Sequence, residues 1–314
     1  MAHRPIRFGI QTPPQLTSWE NLKRIWQLGE GLGFHTAWVF DHFFPIFTAP
    51  SGPCLEAWTT LSALAAHTRR MQVGVLVTGN TYRHPALLAN MAVSVDHVSG
   101  GRLILGLGAA WFELEHRAYG IPFPPVGERI RRLDESLSLI KLLWTEERAT
   151  FKGQYYEVSD AYCEPKPLQR PHPPIMVGGG GERMTLRVVA RHADVWNAFG
   201  SPEIFKRKIA LLEGYCREIG RDPAAIEKSV LVQLKFTSGQ TEAERHLKTY
   251  AEARGLPLDD ARGRFLVGPP EEIRRQIQAY VDTGVTHFIL SLLTPYDEDG
   301  LKHFAERVMP AFVS

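Results

Sequence analysis

Short apolar runs alternate with longer stretches of helical periodicity along almost the whole chain. Ile6 to Ile10 reads as a first strand. Ser18 is a candidate N-cap for the helix that follows, in which Leu22, Ile25 and Trp26 recur at helical spacing and which Gly33 ends. Further strands are expected at Thr36 to Phe40, Val73 to Val77, Leu103 to Leu107, Ile175 to Val177, Val195 to Asn197, Val230 to Phe236 and His287 to Leu292. The segments between them carry apolar helical faces. Leu61, Leu64 and Ala65 form one. Leu88, Met91, Ala92 and Val95 form another, stopped by Gly100 and Gly101, and Ile130, Leu133, Leu137, Ile140 and Trp144 a third. A helix over 270–283 ends at Gly284. After Trp144 the pattern breaks: 150–162 reads as a small β-hairpin or an extended excursion, and 165–174 is rich in proline.

Eight strands alternating with helices predict an α/β architecture with a parallel sheet, since parallel strands need a long crossover between them. Two folds satisfy that pattern, a closed (β/α)8 barrel and an open doubly wound sheet. The open sheet usually places a glycine fingerprint after its first strand. Here that strand leads into Gln11-Thr12-Pro13-Pro14, which is no phosphate loop. No internal repeat or linker divides the chain, so residues 1–314 are expected to form a single domain.

Composition narrows the partners. Of the 314 residues 44% are hydrophobic and 22% charged, as in ordinary soluble globular proteins. A net charge of +2 gives no reason to expect nucleic acid or a membrane surface as partner. Three scattered cysteines, Cys54, Cys163 and Cys216, argue against a disulfide framework or a zinc knuckle. Met1 to Gly9 is polar and enters a strand directly, so no signal peptide is read there, and no apolar run reaches the ~18–20 residues that span a bilayer. A reducing, cytoplasmic setting is the resulting expectation.

Barrel enzymes carry their chemistry at the C-terminal ends of the strands. Strand two ends in Asp41-His42, a pair suited to proton transfer because imidazole titrates near neutrality and a carboxylate can orient it. A plainer reading has Asp41 capping a helix or pairing with an arginine while His42 packs. After strand five come Gly178, Gly179, Gly180 and Gly181, then a helix, an arrangement fit for an anion such as a phosphate. A tight turn alone would also use glycine. The Gly106-Leu107-Gly108-Ala109-Ala110-Trp111 segment lacks the third glycine of a dinucleotide fingerprint. Its small residues suggest close approach of a flat ligand, with Trp111 as a wall or, equally, as core. Glu113, Glu115 and His116 lack the two-histidine spacing of a zinc helix, and no hydrolase elbow or nucleotide P-loop occurs, so no metal is expected.

These motifs resemble a known family. Val39-Phe40-Asp41-His42-Phe43, the segment Leu76 to Pro85, Ser99-Gly100-Gly101-Arg102-Leu103, Gly106 to Phe112, Pro173 to Gly179, Arg191 to Asn197 and Phe265 to Glu272 look like the luciferase-like flavin and deazaflavin oxidoreductases. The likeness is greatest to the branch that uses coenzyme F420, an 8-hydroxy-5-deazaflavin. It covers nearly the whole chain and implies the (β/α)8 TIM barrel, with an insertion between strands four and five. It also implies a non-proline cis peptide behind the cofactor ring, placed by position at Leu76–Val77 or one residue away. Cofactor contacts are implied at Leu76, Val77, Thr78, Gly108, Ala109, Ala110, Trp111, Gly178, Gly179, Gly180, Gly181 and Asn197, and homodimerisation is implied too.

The activity so implied is hydride transfer between F420 and a small organic substrate, with His42, tuned by Asp41, donating or accepting the accompanying proton or binding the cofactor's polar edge. One departure matters. Members of the family that oxidise sugar phosphates carry a glutamate just after the strand-four glycines, where this chain has Trp111. An FMN-dependent monooxygenase keeps the same fold with another cofactor, and a barrel that binds a flavin without catalysis is a third reading. Phe43, Phe44, Phe47, Phe112 and Phe123 in the mouth loops point to a hydrophobic or planar substrate.

Overall fold

A computed structural model describes residues 4–46 and 48–313; Phe47 lies outside them. Eight parallel strands close on themselves. In chain order they are Arg7–Gln11, Thr36–Val39, Gln72–Val75, Leu103–Gly108, Ile175–Gly178, Val195–Ala198, Glu227–Phe236 and His287–Ser291. Each pairs with the next, and the eighth returns to the first in register from Arg7↔His287 to Gln11↔Ser291. This is the (β/α)8 barrel, and the open sheet is ruled out by that last pairing.

Local chemistry sets the helices between the strands. Ser18 caps Trp19–Gly31 by accepting the Asn21 N–H at 3.3 Å. Helix Pro85–Ser99 starts with proline, which has no N–H to lose there, and ends at Gly100 (φ 69°) and Gly101 (φ 84°), left-handed positions that favour glycine. Helix Val126–Thr145 buries Ile130, Leu133, Leu137, Ile140 and Trp144 against the strands. Between strands four and five the chain also makes an antiparallel hairpin, Ala149–Lys152 with Glu157–Ala161.

One excursion escaped the sequence pattern. After strand seven the chain forms helix Gln240–Arg254, helix Leu258–Arg262 and a short strand, Phe265–Gly268, which extends the sheet beside Gln233–Phe236. The long helix buries only Ala243, Leu247 and Ala251, too small an apolar face to stand out among its charged residues.

The barrel interior is filled rather than hollow. Trp38, Leu76, Ile104, Met176, Val195, Leu231 and Ile289 pack inside it. Thr36 and Trp38, two residues apart, both point inward as strand geometry requires. A Cβ on Gly74 would lie 2.6 Å from the Trp38 ring, so glycine makes room for the indole. Below Trp38 sits a buried polar layer. Thr36 Oγ1 lies 2.8 Å from Trp38 Nε1, which donates to it, and 2.9 Å from His287 Nε2. Glu227 pairs with Arg7 at 3.2 Å and lies 3.5 Å from His287 Nδ1.

This layer predicts an acid sensitivity. Burial would raise the Glu227 carboxyl, but His287 and Arg7 outweigh that and hold it well below the ordinary 4.5. Burial holds the His287 imidazole below its ordinary 6.5 and outweighs the opposing pull of Glu227. Both groups therefore bind more protons unfolded than folded, so each contribution is complete at neutral pH and is lost on acidification. The His287 part fades as pH falls below 6.5 and the Glu227 part as it falls below 4.5. Urea midpoints measured from pH 7.5 to 4 should fall steadily for the wild type. They should fall less between pH 6.5 and 5 for His287→Gln; an equal slope there would contradict this account.

Candidate active site

At the C-terminal rim the strand register sets Gly79 beside Gly108, Gly108 beside Gly178 and Gly178 beside Asn197; Asn197 in turn pairs with Ser229, near the start of strand seven. The third strand stops at Val75, a cis peptide joins Leu76 to Val77, and Thr78–Gly79 resumes the pairing. Leu76 points into the barrel, and its carbonyl accepts from Gln11 Nε2 at 2.9 Å. Val77 points across the row. A Cβ on Gly108 would lie 2.7 Å from one Val77 methyl, and a Cβ on Gly178 2.8 Å from the other. The Val77 side chain thus takes up the space beside Gly108 and Gly178.

Asp41 and His42 are both buried at this rim but serve different partners. Asp41 receives a two-pronged ion pair from Arg83, at 2.6 and 3.0 Å, and the Gly79 N–H at 3.3 Å. Arg83 also reaches Glu56 at 2.6 Å. Burial pushes the Asp41 carboxyl upward and Arg83 pulls it back. A guanidinium that stays charged and binds both oxygens keeps the pair ionic. The arginine-pairing reading of Asp41 is the one the structure shows.

His42 takes its carboxylate from elsewhere. Its Nδ1 lies 2.7 Å from Glu115 Oε2, on the short helix Glu113–Ala118 that follows strand four. The expectation that Asp41 tunes His42 is corrected accordingly: the Asp41 oxygens are spent on Arg83 and Gly79. Glu115 is wholly buried and also accepts from Tyr82 Oη at 2.6 Å, from the Phe43 N–H and from the Phe44 N–H at 3.4 Å. Burial alone would raise this carboxyl, yet the bonds from His42, Tyr82 and Phe43 hold it below its ordinary value. The next residue, His116, bonds Thr81 Oγ1 at 2.6 Å and the Phe112 carbonyl at 2.8 Å. The loops after strands two and three are thereby fastened to this helix.

His42 Nε2 makes no hydrogen bond among the described residues. The ring sits among Phe40, Trp111 and Phe112, with centroids 4.7, 5.8 and 5.8 Å away. Trp111 is 58% exposed, so it belongs to the mouth and not to the core. Ala110, just before it, adopts φ 60°, a left-handed conformation that costs a non-glycine residue roughly 1–3 kcal/mol and turns the chain there. The Ala109 carbonyl is held by Arg129 Nε at 3.2 Å. Thr78 spends its hydroxyl on Trp58 Nε1 at 3.1 Å, and Asn197 donates to Ser229 Oγ at 2.8 Å.

Beyond strand five, Gly179 (φ 131°) turns the chain, and a Cβ on Gly181 would meet Thr185 Oγ1 at 2.7 Å. The space a Cβ on Gly180 would fill is taken by the Lys208 ammonium, from helix Pro202–Glu218. Lys208 makes no hydrogen bond or ion pair among the described residues. Burial lowers its pKa, Glu182 opposes that and Arg207 adds to it. A half-buried cation without an acceptor, over a turn free of side chains, fits a bound phosphate. A cavity of about 680 Å³ lies elsewhere, between the excursion after strand seven and helix Pro270–Val281, and contains none of these residues.

Glu115, Tyr82, Arg83 and Lys208 had no site role in the sequence reading. Tyr82 and Arg83 lie within the Leu76 to Pro85 segment, and Glu115 lies in a Glu-x-Glu-His run without zinc-helix spacing. Lys208 carried no local signal.

A closed parallel barrel whose ionisable groups converge at the C-terminal strand ends defines a barrel enzyme scaffold. Comparison with known proteins takes this further: the chain belongs to the luciferase-like monooxygenase family, whose model matches residues 5–255. It is 28% identical to an F420-dependent glucose-6-phosphate dehydrogenase of Kineococcus radiotolerans over 98% of this chain and 97% of that protein. It is 27% identical to an FMNH2-dependent dimethylsulfone monooxygenase of Pseudomonas putida over 98% and 95%. Among solved structures, an F420-dependent secondary alcohol dehydrogenase with a bound F420–acetone adduct superposes with a TM-score of 0.88 at 21% identity, covering 99% of this chain and 100% of that one.

The buried ion pair gives a direct stability test. Arg83→Ala leaves the Asp41 carboxylate buried without its cation and should cost about 3–5 kcal/mol in urea unfolding at pH 7. The double change Arg83→Ala with Asp41→Ala should recover part of that loss; a single variant as stable as wild type would remove the pair from the account.

Proposed function

We propose that this protein is an F420-dependent oxidoreductase that moves a hydride between the deazaflavin and a small organic substrate. The observation that carries this reading is His42 Nε2, without a hydrogen-bond partner among the described residues in an aromatic mouth, on the same rim as a turn and a lysine fitted to a phosphate. F420, when bound, supplies the hydride chemistry, and the protein supplies position and proton handling. Gly178–Gly181 and Lys208 would hold the phosphate. The Leu76–Val77 segment would support the ring, and His42 Nε2 would hold or accept the proton that accompanies the hydride.

F420 is preferred because relatives of 28% identity along nearly the whole chain are named as F420-dependent. FMN is the second reading, favoured by the FMNH2-dependent relative at 27%. Glucose 6-phosphate is not proposed as substrate. Trp111 occupies the position at which sugar-phosphate-oxidising members carry a glutamate, and an exposed indole cannot donate a proton as a carboxyl does.

Fluorescence titration of the protein with F420 and with FMN tests the choice. Micromolar binding of F420 with much weaker binding of FMN is expected; tight FMN binding without F420 binding would establish the second reading. Lys208→Met should weaken F420 about tenfold or more, the worth of one charge-assisted hydrogen bond, while leaving the phosphate-free deazaflavin riboside unaffected. An equal loss for both chromophores would remove Lys208 from the phosphate site.

A further inference from the structure

We propose that Glu115 is a positioning residue that fixes the tautomer of His42, presenting Nε2 to the barrel mouth as a bare lone pair. The proposal rests on the reading that His42 handles the proton, but its structural half can be tested without any cofactor.

The assignment follows from donor counting. Glu115 is held ionised by its surroundings, so both oxygens can only accept. Oε1 takes the Phe43 and Phe44 N–H groups, which have no other role available than donating. Oε2 takes the Tyr82 hydroxyl at 2.6 Å and faces His42 Nδ1 at 2.7 Å. Nδ1 must therefore carry a hydrogen. In the neutral ring the other nitrogen then has none. Asp41 cannot do this work, because Arg83 and Gly79 engage its oxygens.

The same geometry fixes what an isosteric change would do. In Glu115→Gln the amide oxygen must take the Oε1 place, since two backbone N–H groups point there and an amide nitrogen offers them no lone pair. The amide nitrogen then faces His42 Nδ1 and can only donate. Nδ1 must become the acceptor, which moves the ring hydrogen to Nε2. A base facing the substrate becomes a donor while shape and packing stay nearly constant. An analogous wrong-tautomer effect follows the Asp-to-Asn change in serine-protease triads.

Long-range ¹⁵N–¹H spectra of protein labelled in its histidines, recorded without cofactor at pH 9, read the tautomer directly, with His42→Asn identifying the signal. The wild type should show hydrogen on Nδ1, and Glu115→Gln should show it on Nε2. Tyr82→Phe, which keeps the carboxylate, should retain the wild-type pattern. In stopped-flow hydride transfer, Glu115→Gln should be slower by about 100-fold or more, with F420 affinity changed less than threefold. Hydrogen on Nε2 in the wild type overturns the proposal whatever the variants do. So does a Glu115→Gln spectrum like the wild type, or a tautomer switch in Tyr82→Phe. Failure of the F420 reading would appear separately, as absence of F420 binding in every form.

Discussion

One buried carboxylate organises the mouth of this barrel. Glu115 has no exposure to water and, from the helix after strand four, gathers four donors from two loops: His42, Phe43 and Phe44 after strand two, and Tyr82 after strand three. An ionised group survives in such a place only if its lone pairs are met. The requirement works in both directions. The donors make the charge tolerable, and the charge fixes where each donor must stand. Two loops and the helix after strand four are thereby given one arrangement, and the imidazole one orientation.

Beside it, the second buried charge plays a different part. Asp41 lies next to His42 in sequence, yet its oxygens hold Arg83 and, through Arg83, the Glu56 that caps helix Ala57–Ala66. These two adjacent residues, just past a strand end, take different partners, so neighbours along the chain are not neighbours in chemistry. The rim glycines follow a similar logic. Gly108 and Gly178 are small because Val77, after the cis peptide, lies across them.

Much of the scaffold is legible in the sequence. Strands covered on both faces read as continuous apolar runs, such as Leu103 to Leu107, and helices such as Val126–Thr145 show a clear apolar face. Residues confined to strand ends could be located from the strands alone. Three features were hidden, each for a physical reason. Helix Gln240–Arg254 buries only two alanines and a leucine, on one narrow stripe. Lys208 sits on a helix rich in lysine and arginine, and only the fold brings its ammonium over Gly180. Glu115 lies 73 residues from His42 and 33 from Tyr82, and nothing local separates it from the exposed Glu113 two residues earlier. Burial of a charge is a property of its partners, and partners at that separation are written in topology.

The central claim is that reaction takes place over the Leu76–Val77 segment with His42 Nε2 as the protein's nearest proton-handling atom. A crystal structure of the protein with F420 bound tests it most directly. The account predicts the ring against Leu76–Val77, the phosphate within hydrogen-bond reach of Lys208 and the Gly178–Gly181 turn, and His42 Nε2 within about 3.2 Å of a polar atom of the ring, an ordered water or a substrate analogue. A ring bound away from this rim, or an imidazole whose Nε2 faces only hydrocarbon in that complex, would contradict it.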